Sequence, residues 1–172
     1  MILKDLQEDG SFGKFYGVPN NFLASRQLVC DVLNQFELSF IKVRNLLEVI
    51  QNPNPLTSIT QFQNSINESF KTNDWCSQPN YPNSRYKADF GKTNQNGSIL
   101  VEVELSDVRR SANILYMMGA YRMEAMKLGI VIVPENNSLE RTKNFYSNLT
   151  RRFNYFSPDF PLWLIGFDVD HT

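Results

Sequence analysis

The sequence predicts an α/β fold: a central mixed β-sheet flanked by helices on both faces, with a helical N-terminal region ahead of it. Three observations predict this. Apolar residues recur every three or four positions from about residue 20 to 72, the period of amphipathic helices. From Arg85 the period shortens to two, and Gly129-Ile130-Val131-Ile132-Val133-Pro134 is continuously apolar, as a strand covered on both faces should be. Helical stretches flank that run, and strand–helix–strand order calls for parallel neighbours with helices layered on the sheet.

Taken in order, the first helical region spans about 21–51. It carries Phe22, Leu23, Leu28, Val29, Val32, Leu33 and Phe36, then Phe40, Ile41, Val43, Leu46, Leu47 and Ile50, with a break expected near Glu37-Leu38-Ser39. Asn52-Pro53-Asn54-Pro55 stops it, because proline cannot continue the hydrogen-bond ladder. Ser58 then caps a helix with Ile59, Phe62, Ile66 and Phe70 on one face, and a polar, proline-bearing loop covers about 73–84. A strand over 85–90, a turn over 91–97 and a strand over 98–105 read as a hairpin. Ser106 or Asp107 caps a helix over 108–127, with Ala112, Leu115, Met118, Gly119, Met123 and Met126 facing inward. After the apolar strand come a helix over 138–153 and a last strand over 162–167. The 172 residues suit one domain, 1–172, with a helical region of about 20–72 and a core of about 85–167.

Composition removes several chemistries. The 17 basic and 18 acidic residues leave a formal charge of −1, so nucleic-acid binding requires a local basic face. The one histidine, His171, rules out paired-histidine zinc sites and histidine-dependent triads in the interior. Cys30 and Cys76 have no metal-ligand spacing and read as reduced thiols. The first residues turn acidic too early for a signal peptide, and no apolar run is long enough to span a bilayer, so a soluble, cytoplasmic protein is expected. Trp75, Trp163 and the Met117, Met118, Met123 and Met126 group read as core.

The informative residues are Asp89 and Val101-Glu102-Val103-Glu104-Leu105. Strand alternation puts Glu102 and Glu104 on one face and the apolar residues on the other, with Asp89 beside them on the hairpin partner. A pair of glutamates on one strand face is ordinarily solvated. Here the strand is expected to be central, where idle charges are costly. Three converging carboxylates raise their own pKa values unless a cation neutralises them, and hard oxygen ligands favour Mg²⁺ over zinc.

These residues, in this order of elements, resemble the PD-(D/E)xK nuclease superfamily, and within it the BglII/BamHI-like branch of type II restriction endonucleases. The aspartate lies in Lys87-Ala88-Asp89-Phe90 and the acidic triplet is Glu102-Val103-Glu104; Ser111-Ala112-Asn113-Ile114-Leu115-Tyr116 and the 129–134 strand follow as in that branch. Alanine precedes the aspartate where many members have proline, and Glu104 stands where most have lysine. The resemblance implies a restriction-endonuclease-like core and Mg²⁺-dependent hydrolysis of DNA. Asp89, Glu102 and the Val103 carbonyl would hold the metal, with Glu104 as general base or second ligand, and Glu68 as an additional acidic ligand set against its plainer role as a solvated side chain. Arg85, Lys87, Lys92, Arg109, Arg110 and Asn113 would contact DNA. It further implies a homodimer cutting double-stranded DNA at a short palindrome, with a GATC core and 5′ overhangs, and a partner DNA methyltransferase. The N-terminal helical region carries more apolar positions than one groove would bury, and that surplus is the expected part of the dimer surface. The alternatives are a structure-selective nuclease of the same superfamily and a non-catalytic DNA-binding protein that keeps the fold.

Overall fold

The apolar periodicities resolve into one seven-stranded sheet in a computed structural model that describes residues 2–48, 59–105, 110–136 and 144–168. The strands are β1 (Ile2–Leu3), β2 (Lys14–Tyr16), β3 (Cys76–Ser77), β4 (Phe90–Asn94), β5 (Gly97–Val103), β6 (Met126–Pro134) and β7 (Leu162–Asp168). The helices are α1 (Phe22–Gln35), α2 (Phe40–Leu47), α3 (Ile59–Thr72), α4 (Arg110–Arg122) and α5 (Phe145–Tyr155). The expected stop at Pro53 and Pro55, the caps at Ser58, Ser106 or Asp107, and Arg109, Ser138 and His171 lie outside the described residues, as does the side chain of Arg110.

Strand order is β1-β7-β6-β5-β4-β3, with β2 also pairing with β7. β5, β6 and β7 are parallel, and the other pairs are antiparallel, so the sheet is mixed and β5 is central in it. Successive residues of β5 point to opposite faces. Ile99 and Val101 join one core with α1, α2 and α3; Leu100 joins a second core with α4 and α5. Helices therefore cover both faces. Trp163 and Trp75 are buried anchors of the first core, and Trp163 also donates from Nε1 to the Phe12 carbonyl at 2.8 Å.

The break between α1 and α2 falls where expected. Glu37 turns left-handed at φ 57°, Leu38 closes on the Leu33 carbonyl, and Ser39 caps α2 by accepting from the Lys42 amide at 3.2 Å. Both helices direct most of their apolar residues, including Val29, Val32, Leu33, Val43, Leu46 and Leu47, onto the sheet. The surplus apolar surface expected there shrinks to Phe22, Leu23 and Ile41.

Several boundaries differ from the sequence reading. The hairpin strand is β4, not 85–90, and Gln95-Asn96 alone make the turn, with Gly97 at φ 124°. Gly91 and Asn94 look like turn residues but lie in the strand. Glycine is required at 91 because an added Cβ would stand 2.8 Å from the Pro79 ring. Helix α4 ends at Arg122, Glu124 turns left-handed at φ 58°, and Met126 belongs to β6. The inward face of α4 is set by Met117 and Ala120, whereas Leu115 and Met123 are 60% and 54% exposed. The expected stripe was out of phase because it ran through the helix end. Strands β1, β2 and β3 have only two or three residues each and were missed.

Candidate active site

Residues 78–89 double back over the α4 face as a strap. Gln78 N–H donates to the Asp89 carbonyl (2.9 Å), Ala88 N–H to the Pro79 carbonyl (3.0 Å) and Tyr81 N–H to the Tyr86 carbonyl (2.9 Å). Asp89 ends the strap and leads into β4; its amide donates to the Val101 carbonyl at 3.0 Å, which sets it beside Glu102. Asp89 Oδ2 accepts from the Val103 amide at 2.7 Å. Glu102 lies on β5 facing the α4 side and is only 4% exposed. Its Oε1 accepts from the Tyr81 hydroxyl at 2.6 Å, and the two carboxyl groups hydrogen-bond each other.

Burial is the main cause that pushes Glu102 up to about 8. The Tyr81 hydroxyl opposes that shift, and the charges of Asp89 and Glu104 reinforce it. Burial also raises Asp89, against the donated hydrogen bonds from Val103 N–H and from Glu102. Glu102 thus keeps the proton that joins the pair, in the place where a cation would relieve both carboxylates.

The expected convergence of three carboxylates becomes a pair. Among the described residues, no three His, Cys, Asp or Glu side chains gather around a common metal position. Glu104 follows the end of β5; its amide donates to the Ile132 carbonyl at 2.9 Å and its Oε1 accepts from Asn113 Nδ2 on α4. Asn113 is therefore engaged on Glu104, not aimed outward at base edges. The pair still suits Mg²⁺, which is held by one or two protein carboxylates and keeps waters and substrate oxygens as its other ligands. Asp89 and Glu102, with the Val103 carbonyl, would supply such hard-oxygen ligands.

Asp89 and Val103 open onto a cleft of about 440 Å³ whose opposite wall is α3, with Asn64, Asn67 and Lys71, and whose rim carries Ser77 and Gln78. Glu68 is exposed on α3, flanking the Asn64/Asn67/Lys71 stripe, and is not among the residues that line this cleft. Sequence reasoning missed that polar stripe, although its spacing of three and four beside the Ile66/Phe70 face was the available signal. It also missed Tyr81, which nothing periodic marks. Arg85 and Lys87 are exposed on the strap next to Asp89. Lys92 instead lies 5.7 Å from the Trp75 ring centre and donates to the Asn73 carbonyl at 3.4 Å, bracing the β4–β5 hairpin against the end of α3.

The mixed sheet, its parallel β5-β6-β7 half joined by α4 and α5, and helices on both faces define a restriction-endonuclease-like fold. Among solved structures, the chain is similar to the restriction endonuclease BglII complexed with a DNA 16-mer, with a TM-score of 0.53 and 16% identity over 80% of this chain and 73% of that one. No protein-family model and no curated protein matches the sequence.

Proposed function

We propose that the chain is a Mg²⁺-dependent endonuclease acting on double-stranded DNA: a type II restriction enzyme of the BglII/BamHI-like branch, working as a homodimer at a short palindrome alongside a cognate DNA methyltransferase. The observation that carries this reading is the carboxylate pair of the buried Glu102 and the half-buried Asp89, with Asp89 lining a cleft, within a restriction-endonuclease-like fold. The similar BglII structure is a complex with a DNA 16-mer, which supports DNA as the substrate class.

Asp89 and Glu102, with the Val103 carbonyl, are the residues that hold the cation. Bound there, Mg²⁺ supplies Lewis acidity to the scissile phosphate and makes water a stronger acid. Glu104 stands outside the pair, engaged by Asn113, where it orients the attacking water and accepts its proton. A carboxylate in the triplet's last position offers no positive charge to the phosphate. Among the described residues, Lys71 lines the same cleft as Asp89, and Arg85 and Lys87 lie on the strap that leads into it. Two copies related by a two-fold axis would place one such site on each strand of a palindrome.

The test is digestion of a large unmethylated phage DNA with Mg²⁺ and, separately, with EDTA. Discrete bands with Mg²⁺ alone are expected, and the fragment ends then give the recognition site. A Mg²⁺-dependent smear would replace the restriction reading with a structure-selective or nonspecific nuclease. Asp89→Ala and Glu102→Ala should abolish cleavage while retaining DNA binding in a gel shift; wild-type cutting by both would remove the pair from the chemistry.

A further inference from the structure

The residue that holds Glu102 in place is Tyr81, which lies far from the acidic triplet in sequence. The strap brings it there. Its arms are zipped by the Gln78–Asp89, Pro79–Ala88 and Tyr81–Tyr86 backbone hydrogen bonds, so the segment that delivers Asp89 from one arm delivers Tyr81 from the other. The Tyr116 ring of α4 packs against Tyr81 at 5.5 Å and against Tyr86 at 4.5 Å between ring centres, which fixes the strap against the helix. Tyr81 is 2% exposed, and its hydroxyl reaches Glu102 Oε1 at 2.6 Å.

A phenylalanine would fill the same volume and keep the same ring contacts. What the hydroxyl adds is direction. A glutamate side chain has rotamers to choose from, and a donor fixed on one oxygen removes most of that choice. Asp89 is fixed in the same way by the Val103 amide. Each member of the pair thus has one oxygen engaged by a rigid protein donor.

We propose that Tyr81 is a positioning residue whose hydroxyl aims the Glu102 carboxylate toward the cation shared with Asp89. The inference rests on the reading of that pair as a metal site. Partners that orient metal-binding side chains commonly contribute about 10- to 100-fold in metal affinity.

Calorimetric titration of Mg²⁺ into the wild-type protein, Tyr81→Phe and Glu102→Gln tests it without reference to cleavage. Tyr81→Phe is expected to bind Mg²⁺ about 10-fold more weakly or worse. Its melting temperature should also rise less on adding Mg²⁺ than the wild type's does, because that rise tracks affinity. A purely structural role would lower melting with and without Mg²⁺ alike and leave the increment intact, which would overturn the proposal. So would wild-type Mg²⁺ affinity in Tyr81→Phe when Glu102→Gln has lost it, with the metal-site reading left standing. If the wild type and Glu102→Gln take up Mg²⁺ equally, or neither does, the metal-site reading itself fails and this inference falls with it.

Discussion

In EDTA, replacing Glu102 by glutamine should reverse in sign as a stability effect between acid and alkaline solution. Glu102 is almost wholly buried and carries a carboxyl pushed up to about 8 by burial, against 4.5 for an ordinary glutamate. Between those two values the folded protein retains a proton that the unfolded chain has released. The stability that Glu102 contributes is therefore fully present below about 4.5 and is lost as pH rises toward 8, by about 1.4 kcal/mol per unit. Across the window the loss approaches about 5 kcal/mol, a large part of a typical domain's stability. Asp89, also raised, adds to the fall with the same sign from its lower starting point. Glutamine mimics the protonated acid and cannot titrate, so Glu102→Gln should match the wild type or fall below it near pH 5 and exceed it near pH 9. Urea unfolding followed by the fluorescence of the buried Trp75 and Trp163 measures this. With a slope of about 2 kcal/mol per molar, the wild-type urea midpoint should drop by about 2 M between pH 5 and pH 9. A flat or rising wild-type profile, or an equally steep one for Glu102→Gln, would show that Glu102 is not the desolvated acid described above.

Glu104→Gln preserves the acceptor for Asn113 but cannot take a proton, so steady-state cleavage should slow by about 10²–10⁴-fold, with DNA affinity in EDTA unchanged. Wild-type turnover would remove Glu104 as the base. Gly166→Ala would put a Cβ 2.5 Å from two atoms of the Tyr146 ring, whose hydroxyl is tied to Asp5 at 2.8 Å and hinders retreat. A loss of about 1–3 kcal/mol is expected in urea melts, and an unchanged midpoint would mean that the ring moves freely. Sedimentation in the presence of duplex DNA should show two chains per duplex; monomer alone would end the symmetric-dimer reading.

The parts of the fold legible in the sequence were those encoded locally. Strand β6 declared itself by an unbroken apolar run, and the alternation through Val101, Glu102 and Val103 placed Glu102 on the correct face. The Glu37-Leu38-Ser39 break and the α3 stripe were also local signals. What was hidden depends on distant partners. Strand β1 exists only because Leu3 pairs with Phe167, and β4 runs through Gly91 because Pro79 presses against it. Within the site, Asp89 and Glu102 were readable as hairpin neighbours. Lys71 and Tyr81 were not, since only the packing of α3 and the strap brings them near the pair. Glu104 was assigned to the same cluster because strand alternation was extended past the end of β5, where α4 offers it Asn113 instead.

The pairing of β1 and β2 along β7 bears on how the chain is made. Residues 2–3 and 14–16 have their sheet partners on β7, and Phe12 meets the indole of Trp163 at a sequence separation of 151. During synthesis the segment carrying Tyr81, Asp89 and Glu102 emerges well before that far border of the sheet can close. Closing so long a loop is slow relative to forming hairpins and helices. The nascent chain therefore holds its acidic pair in an unfinished sheet until the last strand arrives, and a ribosome that stalls before Leu162 leaves β6 as a bare apolar edge, open to pairing with other chains.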